Sequence, residues 1–362
     1  MSGIEMRKER HLRLSLEENV QSDIGNGFKD VKLIHQALPE IDLEEVIPET
    51  RLFRKRLSHP LIISAITGGT EYAKRINAIL ADVAEGLGIG IGIGSQRIAI
   101  EEPELEHTFT ILREKAPSSM VMANMGCPQI SMGWGVSEAR RCVEMIDADA
   151  LAIHMNPLQE AVQVRGETCY RGVLDGLEEI VKALEVPIVM KETGCGISRE
   201  VAEKLERVGI NGLEISGLGG TSWAAVEHHI AIIEEKREQE ILGESLWNWG
   251  IPTAISVVET SSSTDLKIIA SGGIRTGVEA AKAIALGADA VGIARPFLEK
   301  AVEGKEALLA YVEDILREFR TVMFLVGARN LEELKQVPVL ILGRTAEWLR
   351  LRGYDLVRFA NR

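Results

Sequence analysis

The sequence has few aromatic residues and no excess of basic charge. Aromatic side chains make up 4% of its 362 residues, whereas glycine occurs 34 times, a balance that suits many tight strand-to-helix turns better than an aromatic-packed β-sandwich. The formal net charge is −13, which argues against a general nucleic-acid or anionic-membrane surface. Any anionic ligand must therefore be held by individual, locally placed cations.

Cysteine pairs and long apolar runs are also missing. The four cysteines show no Cys-x-x-Cys spacing, and the first eight residues hold no apolar signal core. The longest apolar stretches, 61–67 and 87–94, fall far short of the roughly 20 residues that a membrane span needs. These absences predict a cytoplasmic protein with no membrane-spanning segment.

Short apolar runs recur along the chain, separated by stretches with helical periodicity. Continuously apolar strands between helices indicate an α/β fold whose parallel sheet is covered on both faces. Eight runs favour a closed (β/α)8 TIM barrel over a doubly wound sheet. We predict an N-terminal extension, 1–60, that acts as a lid at the substrate site, and a barrel with C-terminal helices, 61–362. The predicted strands are 61–66, 90–94, 120–123, 150–154, 187–190, 212–215, 268–270 and 290–293.

The last two predicted strand–helix units carry a phosphate-binding pattern. The seventh strand is followed by Ser271-Gly-Gly-Ile-Arg275 and the eighth by Ala294-Arg295. In such a barrel, the loops after strands seven and eight expose backbone N–H groups to a phosphate. We interpret the bound group as a flavin phosphate, with ordinary glycine turns and no ligand as the alternative. The predicted ligands are Gly272, Gly273, Ile274, Arg275, Ala294 and Arg295.

Polar or glycine-rich segments also follow the other six predicted strands. Each alone could be a turn or a helix cap, but in a barrel all six lie on the rim where the chemistry of this fold occurs. The sequence thus predicts one site at the barrel mouth. The segments are Ala65-Ile-Thr-Gly-Gly69, Gly94-Ser-Gln-Arg97, Asn124-Met-Gly, His154-Met-Asn-Pro-Leu-Gln-Glu160, Lys191-Glu-Thr-Gly and Ser216-Gly-Leu-Gly-Gly-Thr221.

Several of these residues suit a flat ring such as a flavin. Lys191 emerges beside apolar walls, where an anionic partner relieves the cost of desolvation. That partner is either the edge of a reduced flavin or a rim carboxylate such as Glu192. The other predicted flavin contacts, through close backbone approach or hydrogen bonds, are Ala65, Ile66, Thr67, Gly68, Gly69, Ser95, Asn124, Ser216 and Thr221.

The segment from His154 to Glu160 points to a metal and a diphosphate. Glu160 has no second acid within the motif. This suits Mg²⁺, which commonly takes one or two carboxylates, several waters and the oxygens of a substrate diphosphate. Ser95, Arg97 and His154 are the predicted ligands of the diphosphate itself, Arg97 through its planar donor fork.

The amino terminus holds a basic cluster, Arg7-Lys8-Glu-Arg10-His11, in an otherwise acidic chain. One interpretation is a frayed charged tail. The other is a lid whose Arg7 and Lys8 bind the diphosphate, over its own barrel mouth or a neighbour's. Sequence spacing leaves both interpretations open.

Together these motifs resemble those of the type 2 isopentenyl-diphosphate delta-isomerases, over essentially the whole chain. The basic amino terminus combined with His-x-Asn-x-x-Gln-Glu is specific, whereas Ser-Gly-Gly-Ile-Arg alone occurs in many flavin barrels. The resemblance implies an isomerase of isoprenoid biosynthesis that interconverts isopentenyl and dimethylallyl diphosphate. It also implies reduced FMN, Mg²⁺ held through Glu160, NADPH as reductant, and a homotetramer or homo-octamer.

The resemblance assigns residue roles as well. Gln159 is placed at the reacting end of the substrate as the catalytic position, where it positions rather than titrates because an amide has no useful pKa. His11 and Asn156 join the substrate site, and Lys191 stabilises the anionic flavin.

Two other functions remain open. An FMN-dependent barrel oxidoreductase is disfavoured, because a 2-hydroxy-acid oxidase needs a His base after a late strand and 216–223 contains none. A nucleotide dehydrogenase would need a catalytic Cys after the sixth strand, where this chain has Gly217-Leu-Gly-Gly-Thr221. A non-catalytic protein that binds flavin or a prenyl diphosphate needs fewer rim groups than this chain offers.

Overall fold

The computed structural model describes residues 3–362, with the side chains of residue 6 and of 8–362. Its strands are β1 Val31–Leu33, β2 Thr50–Leu52, β3 Lys55–Leu57, β4 Leu61–Ile63, β5 Gly90–Gly92, β6 Val121–Gly126, β7 Ala150–Met155, β8 Ile188–Glu192, β9 Gly212–Glu214, β10 Lys267–Ser271, β11 Ala290–Ile293 and β12 Val339–Ile341.

Its α-helices are α1 Gly3–Glu17, α2 Glu71–Leu87, α3 Arg97–Glu101, α4 His107–Lys115, α5 Cys127–Ser131, α6 Val136–Met145, α7 Pro157–Val162, α8 Val173–Ala183, α9 Arg199–Val208, α10 Trp223–Ile233, α11 Arg237–Ser245, α12 Thr253–Ser261, α13 Gly277–Ala285, α14 Arg295–Glu303, α15 Lys305–Leu325, α16 Leu331–Leu334, α17 Gly343–Leu351 and α18 Val357–Ala360.

Within these described residues, β4 to β11 close into a barrel of eight parallel strands. The barrel closes where Val291 and Gly292 of β11 pair with Leu61 and Ile62 of β4. Each of the eight predicted apolar runs overlaps one of these strands, and helices separate consecutive strands. The predicted (β/α)8 barrel is therefore confirmed.

The hairpin β2–β3 plugs the amino-terminal end of the barrel. Leu52 and Leu57 are buried in a cluster with Ile62 and other inward-facing strand residues. Leu61 and Ile63, which alternate with Ile62, pack instead in the larger core between strands and helices. With its amino-terminal end filled, the barrel is left with its carboxyl end for a ligand.

Two further parts of the amino-terminal region bind elsewhere on the barrel. Strand β1 pairs antiparallel with β12 near the carboxyl terminus. Helix α1 packs on α10, where Leu14 contacts a buried cluster that includes Val226 and Ile230. The extension is thus anchored to the barrel at several separate places.

Side-chain caps fix where several helices leave the rim. Thr70 accepts a hydrogen bond from the Ala73 N–H at the start of α2, and Thr276 does the same for Glu279 at the start of α13. Ser222 caps α10. Because each cap ends a rim loop, the caps hold 64–69, 216–221 and 272–275 at the mouth.

The carboxyl-terminal helices complete the outer layer. The longest, α15, packs against α13, α14 and α2 with Leu308, Val312 and Phe319 buried. In the described part of the chain, no helix is both long enough and apolar enough to span a bilayer.

Candidate active site at the barrel mouth

A cavity of about 290 Å³ opens at the carboxyl ends of the barrel strands. Gly69 lies directly behind its wall, where an added Cβ would meet Ile98 and Lys8. The side chain of Arg7 lies outside the described residues. All other sequence-predicted site residues line this cavity: Lys8, His11, Ala65, Ile66, Thr67, Gly68, Ser95, Arg97, Asn124, His154, Asn156, Gln159, Glu160, Lys191, Ser216, Thr221, Gly272, Gly273, Ile274, Arg275, Ala294 and Arg295.

At the base of the cavity, Lys191 forms an ion pair with Glu214. The two residues face each other in register on β8 and β9, with Nζ 3.1 Å from Oε1. The hydroxyl of Ser64 donates to the same oxygen at 2.7 Å. Oε2 of Glu214 is buried and has no hydrogen-bond partner among the described residues. Sequence analysis missed Glu214; the only available signal was an acid inside an apolar strand.

Glu192 uses its carboxylate on the backbone rather than on Lys191. One oxygen accepts from the N–H groups of Thr193 and Gly194, both at 2.6 Å, and from that of Cys195. Lys191 donates instead to the Glu192 carbonyl at 3.1 Å. Burial raises the pKa of Glu192 to about 7. Glu192 therefore shapes the loop after β8 and leaves the Lys191 ammonium to Glu214 and the cavity.

His154 is a neutral hydrogen-bonding group. Nδ2 of Asn124 donates to the Ile93 carbonyl at 2.9 Å, so Oδ1 of Asn124 faces Nδ1 of His154, 2.8 Å away, as an acceptor. Nδ1 then carries the hydrogen and Nε2 is an acceptor. Burial, assisted by the charges of Lys191 and Lys8, lowers the pKa of His154 to about 4. At neutral pH the ring offers an acceptor rather than a positive charge.

Gln159 lies in a chain of polar groups that extends to the amino-terminal helix. Its Oε1 accepts from Nδ2 of Asn156 at 3.2 Å, and its Nε2 donates to Oε1 of Glu227 at 3.3 Å. His11 of α1 contacts the same Glu227 oxygen at 2.9 Å. Glu227 is almost fully buried on α10 and was also missed, because nothing in its local sequence distinguishes it from a helix-surface acid.

The amino-terminal helix lies over the mouth of its own barrel. Nζ of Lys8 donates to the carbonyls of Gly68 and Ser95, at 2.9 and 2.7 Å. Leu12 and Ser15, on the same helix, also line the cavity. A helix in this position agrees with the lid interpretation, which stays a prediction.

The carboxylate of Glu160 is already oriented by three hydrogen bonds. Asn156 donates to Oε1 at 2.8 Å, while Gln163 and the N–H of Glu167 donate to Oε2 at 3.4 and 2.7 Å. No group of three or more His, Cys, Asp or Glu side chains suited to a metal occurs among the described residues. A single oriented carboxylate fits Mg²⁺ completed by diphosphate oxygens and water, not a cage made by the protein alone.

The loops after β10 and β11 form a cradle that fits a phosphate. A Cβ on Gly272 or Gly273 would strike the backbone of the loop after β9, at Gly217 and Gly219 respectively, so these loops pack backbone to backbone. Arg275 lines the cavity beside them. Arg295 also lines it and begins α14, whose N-terminus adds backbone N–H groups. Guanidinium groups with a helix N-terminus are a donor set that suits a phosphorylated flavin.

The chain is similar to known proteins in both sequence and fold. A family model described as FMN-dependent dehydrogenase matches residues 102–340. The chain is 46% identical over 356 residues to the isopentenyl-diphosphate delta-isomerase of Methanothermobacter thermautotrophicus, with 98% of this chain and 99% of that protein covered. It is also 46% identical over 359 residues to the protein of the same name from Pyrococcus abyssi, with 97% and 96% covered.

Solved structures agree at the level of the fold. A flavocytochrome b2 variant with benzoylformate superposes with a TM-score of 0.65 at 18% identity, covering 91% of this chain and 83% of that one. Such low identity shows a common barrel and nothing about substrate. The identity to the isomerases is much higher, 46% over nearly the whole length of both chains, and it confirms the resemblance seen in the motifs. The chain therefore belongs to the isopentenyl-diphosphate delta-isomerase family, type 2, and to the wider FMN-dependent dehydrogenase family.

Proposed function

We propose that the protein interconverts isopentenyl and dimethylallyl diphosphate in isoprenoid biosynthesis; its relatives are named isopentenyl-diphosphate delta-isomerases. The observation that carries the proposal is one cavity that joins a phosphate cradle, a buried lysine and an oriented carboxylate beside apolar residues. The finer parts of the proposal are Mg²⁺ at Glu160, NADPH as reductant, a cytoplasmic location and a homotetramer or homo-octamer.

FMN would be held at two places in the cavity. Gly272, Gly273, Arg275 and Arg295 would bind its phosphate, and Lys191 would face the edge of its ring. The remaining ring contacts would come from Ala65, Ile66, Thr67, Gly68, Ser95, Asn124, Ser216 and Thr221, with Gly69, Ile274 and Ala294 shaping the adjoining loops. When bound, the reduced flavin supplies an electron-rich ring that exchanges a proton beside the alkene.

The chain's own residues would bind and orient the substrate. Moving a double bond requires one proton to be added at one end of the allylic unit and another to be removed at the other. Gln159, fixed between Asn156 and Glu227, would position that unit without titrating. Leu12 and Trp223 offer apolar contacts for the hydrocarbon part of the substrate. Their side chains would exclude water from the reacting carbons.

The diphosphate would bind in the part of the cavity near Glu160. Lys8, Ser95 and Arg97 line this part, with Arg7 and His11 on the covering helix and Asn156 orienting Glu160. His154 would offer its Nε2 there as an acceptor, to a bridging water and not directly to the diphosphate oxygens, which are acceptors themselves. Mg²⁺ bound to Glu160 would offset the negative charge of the diphosphate.

The proposal is tested by anaerobic conversion of isopentenyl diphosphate, followed by proton NMR on protein loaded with reduced FMN. We expect dimethylallyl diphosphate to form with Mg²⁺ and not with EDTA. Glu160→Gln should abolish most of the Mg²⁺-dependent rate while the flavin absorbance remains, because the flavin contacts are elsewhere in the cavity. Oxidation of a 2-hydroxy acid without isomerisation would favour the oxidoreductase alternative, and flavin binding without turnover would favour a binding protein.

A further inference from the structure

Arg97, at the start of α3, is held between two carboxylates. Its Nη1 donates to both oxygens of Glu167, at 2.6 and 2.8 Å, and its Nε donates to Glu101 at 2.8 Å. Burial alone would lower the pKa of Arg97, but these bonds raise it above its ordinary value. The positive charge that would attract a diphosphate is therefore already engaged twice.

Glu167 also contacts Glu160, the candidate ligand of Mg²⁺. Its N–H donates to Oε2 of Glu160 at 2.7 Å, and its own Oε2 accepts from Gln129 at 2.8 Å. Gly166 permits this arrangement, since an added Cβ would strike the Glu160 carbonyl. Arg97, Gln129 and Glu160 line the cavity, and all three converge on Glu167.

The local charge balance is unfavourable for a bare anion. Arg97 pairs with the carboxylates of Glu101 and Glu167, and a third carboxylate, that of Glu160, accepts from the Glu167 N–H. Lys8, the other cation among the described residues that line this part of the cavity, donates to two backbone carbonyls, so the carboxylates still outnumber the cations. A diphosphate that recruits Arg97 from Glu167 leaves that carboxylate, 26% exposed, without its cationic partner and close to the new negative charge. A divalent cation beside Glu160 would remove this penalty.

We infer that Glu167 is a positioning residue that makes diphosphate binding depend on the divalent cation. It holds Arg97 in the ligand-free site and releases it when the cation compensates the two glutamates. The inference rests on the proposed function, because it takes a diphosphate and Mg²⁺ as the ligands of this part of the cavity. It concerns binding alone and involves no chemical step.

Inorganic pyrophosphate provides the test, by calorimetric titration of the FMN-loaded full chain with excess MgCl₂ or with EDTA. In the unmodified protein, Mg²⁺ tightens binding. In Glu167→Gln, the ratio of the two affinities falls about tenfold, mainly through tighter binding in EDTA, because one nearby negative charge is gone and Arg97 is released. Glu167→Asp, which keeps the charge, retains the Mg²⁺ dependence.

Glu101→Gln is the matched control, because it removes the same charge from the other, more exposed side of Arg97. We expect it to change the ratio by less than about twofold. The inference would be overturned if the affinity ratio fell equally in Glu101→Gln, or if it also fell in Glu167→Asp. It would likewise be overturned if Glu167→Gln weakened pyrophosphate binding by the same factor with and without Mg²⁺. None of these outcomes would refute the proposed function. Failure of the unmodified protein to bind pyrophosphate even with Mg²⁺ would instead refute the proposed function and the inference with it.

Discussion

Lys191 and Glu214 form an ion pair with almost no contact to solvent. Their side chains are 8% and 0% exposed, and Ser64 completes the network. Loss of one partner leaves an uncompensated buried charge, which is strongly destabilising. We expect Glu214→Gln to lower the free energy of unfolding of the FMN-free protein by about 3–5 kcal/mol, measured by urea denaturation.

The double variant Lys191→Met/Glu214→Gln is the control for that prediction. Because it removes both charges, it should recover much of the lost stability. If the single and double variants lost the same free energy, the two charges would not compensate each other in the folded protein.

His154 gives the folded state a defined dependence on pH. Its pKa is lowered to about 4 in the folded protein, so below about pH 6.5 the unfolded chain takes up the proton first. The stability that the neutral ring contributes is fully present above pH 6.5 and is lost between about pH 6.5 and 4. The loss is at most about 3 kcal/mol, since the ring borders a cavity.

Urea unfolding of the FMN-free protein at pH 7 and pH 4.5 measures this loss. His154→Gln, which keeps polarity without titrating, should show a smaller fall in stability over the same interval. Identical pH dependence in both proteins would mean that His154 does not titrate in the way that its burial implies.

The position of Lys191, Gln159 and Glu160 at one mouth followed from their sequence pattern, because polar residues just after barrel strands share one rim. Glu214, Glu227 and Glu167 could not be identified in that way. Each acts through side chains that only the folded structure brings next to it. Its own local sequence is typical of a strand, a helix or a loop.

At the scale of elements, the barrel strands were predictable and the short antiparallel pairs were not. Strands β4 to β11 are buried on both faces over most of their length and are therefore mostly apolar in sequence. The pairs β2–β3 and β1–β12 involve three residues per strand, and the partners in the second pair lie about 300 residues apart. Pairs this short carry no periodic signal, and their stability comes from burial against the barrel.

The boundaries also shifted for a physical reason. The first predicted strand, 61–66, ends in the structure at Ile63, and Ala65 and Ile66 turn into the cavity wall. The third continues to Gly126, because Asn124 and Gly126 still pair with β7. Ladder partners, rather than hydrophobicity, therefore decide where each strand stops.

The segment before β1 braces the phosphate cradle. Nδ2 of Asn26 donates to the Gly273 carbonyl and to Glu279, both at 2.9 Å. Glu279 in turn accepts from the Arg275 N–H at 2.9 Å. We expect Asn26→Ala to weaken FMN binding by about tenfold, because buried hydrogen bonds that hold the loop are lost, as measured by quenching of flavin fluorescence.

Asn248→Ala is the control for this effect. Asn248 accepts hydrogen bonds from Ser22 and Asp23 on the same segment, whereas Asn26 bonds directly to Gly273 of the phosphate loop. Its loss should leave FMN affinity close to that of the unmodified protein. Equal FMN affinity in both variants would show that bracing by Asn26 does not act on the cradle.

At the scale of the molecule, an acidic protein gathers its ligand-binding cations in one place. The net charge is −13, yet Lys8, Arg97, Lys191, Arg275 and Arg295 all line the same cavity. The composition had required such local placement for any anionic ligand. The homo-oligomeric state stays a prediction, which light scattering of the full chain would test.

The number of substrate molecules isomerised per NADPH oxidised tests the central claim most directly. The measurement combines proton NMR of the products with nicotinamide absorbance under anaerobic conditions, using protein loaded with FMN and Mg²⁺. Isomerisation involves no net oxidation, so we expect NADPH to be consumed only to reduce the flavin while isopentenyl diphosphate continues to equilibrate. One NADPH oxidised for each substrate converted, or no conversion by a fully reduced, FMN-loaded protein, would contradict the account.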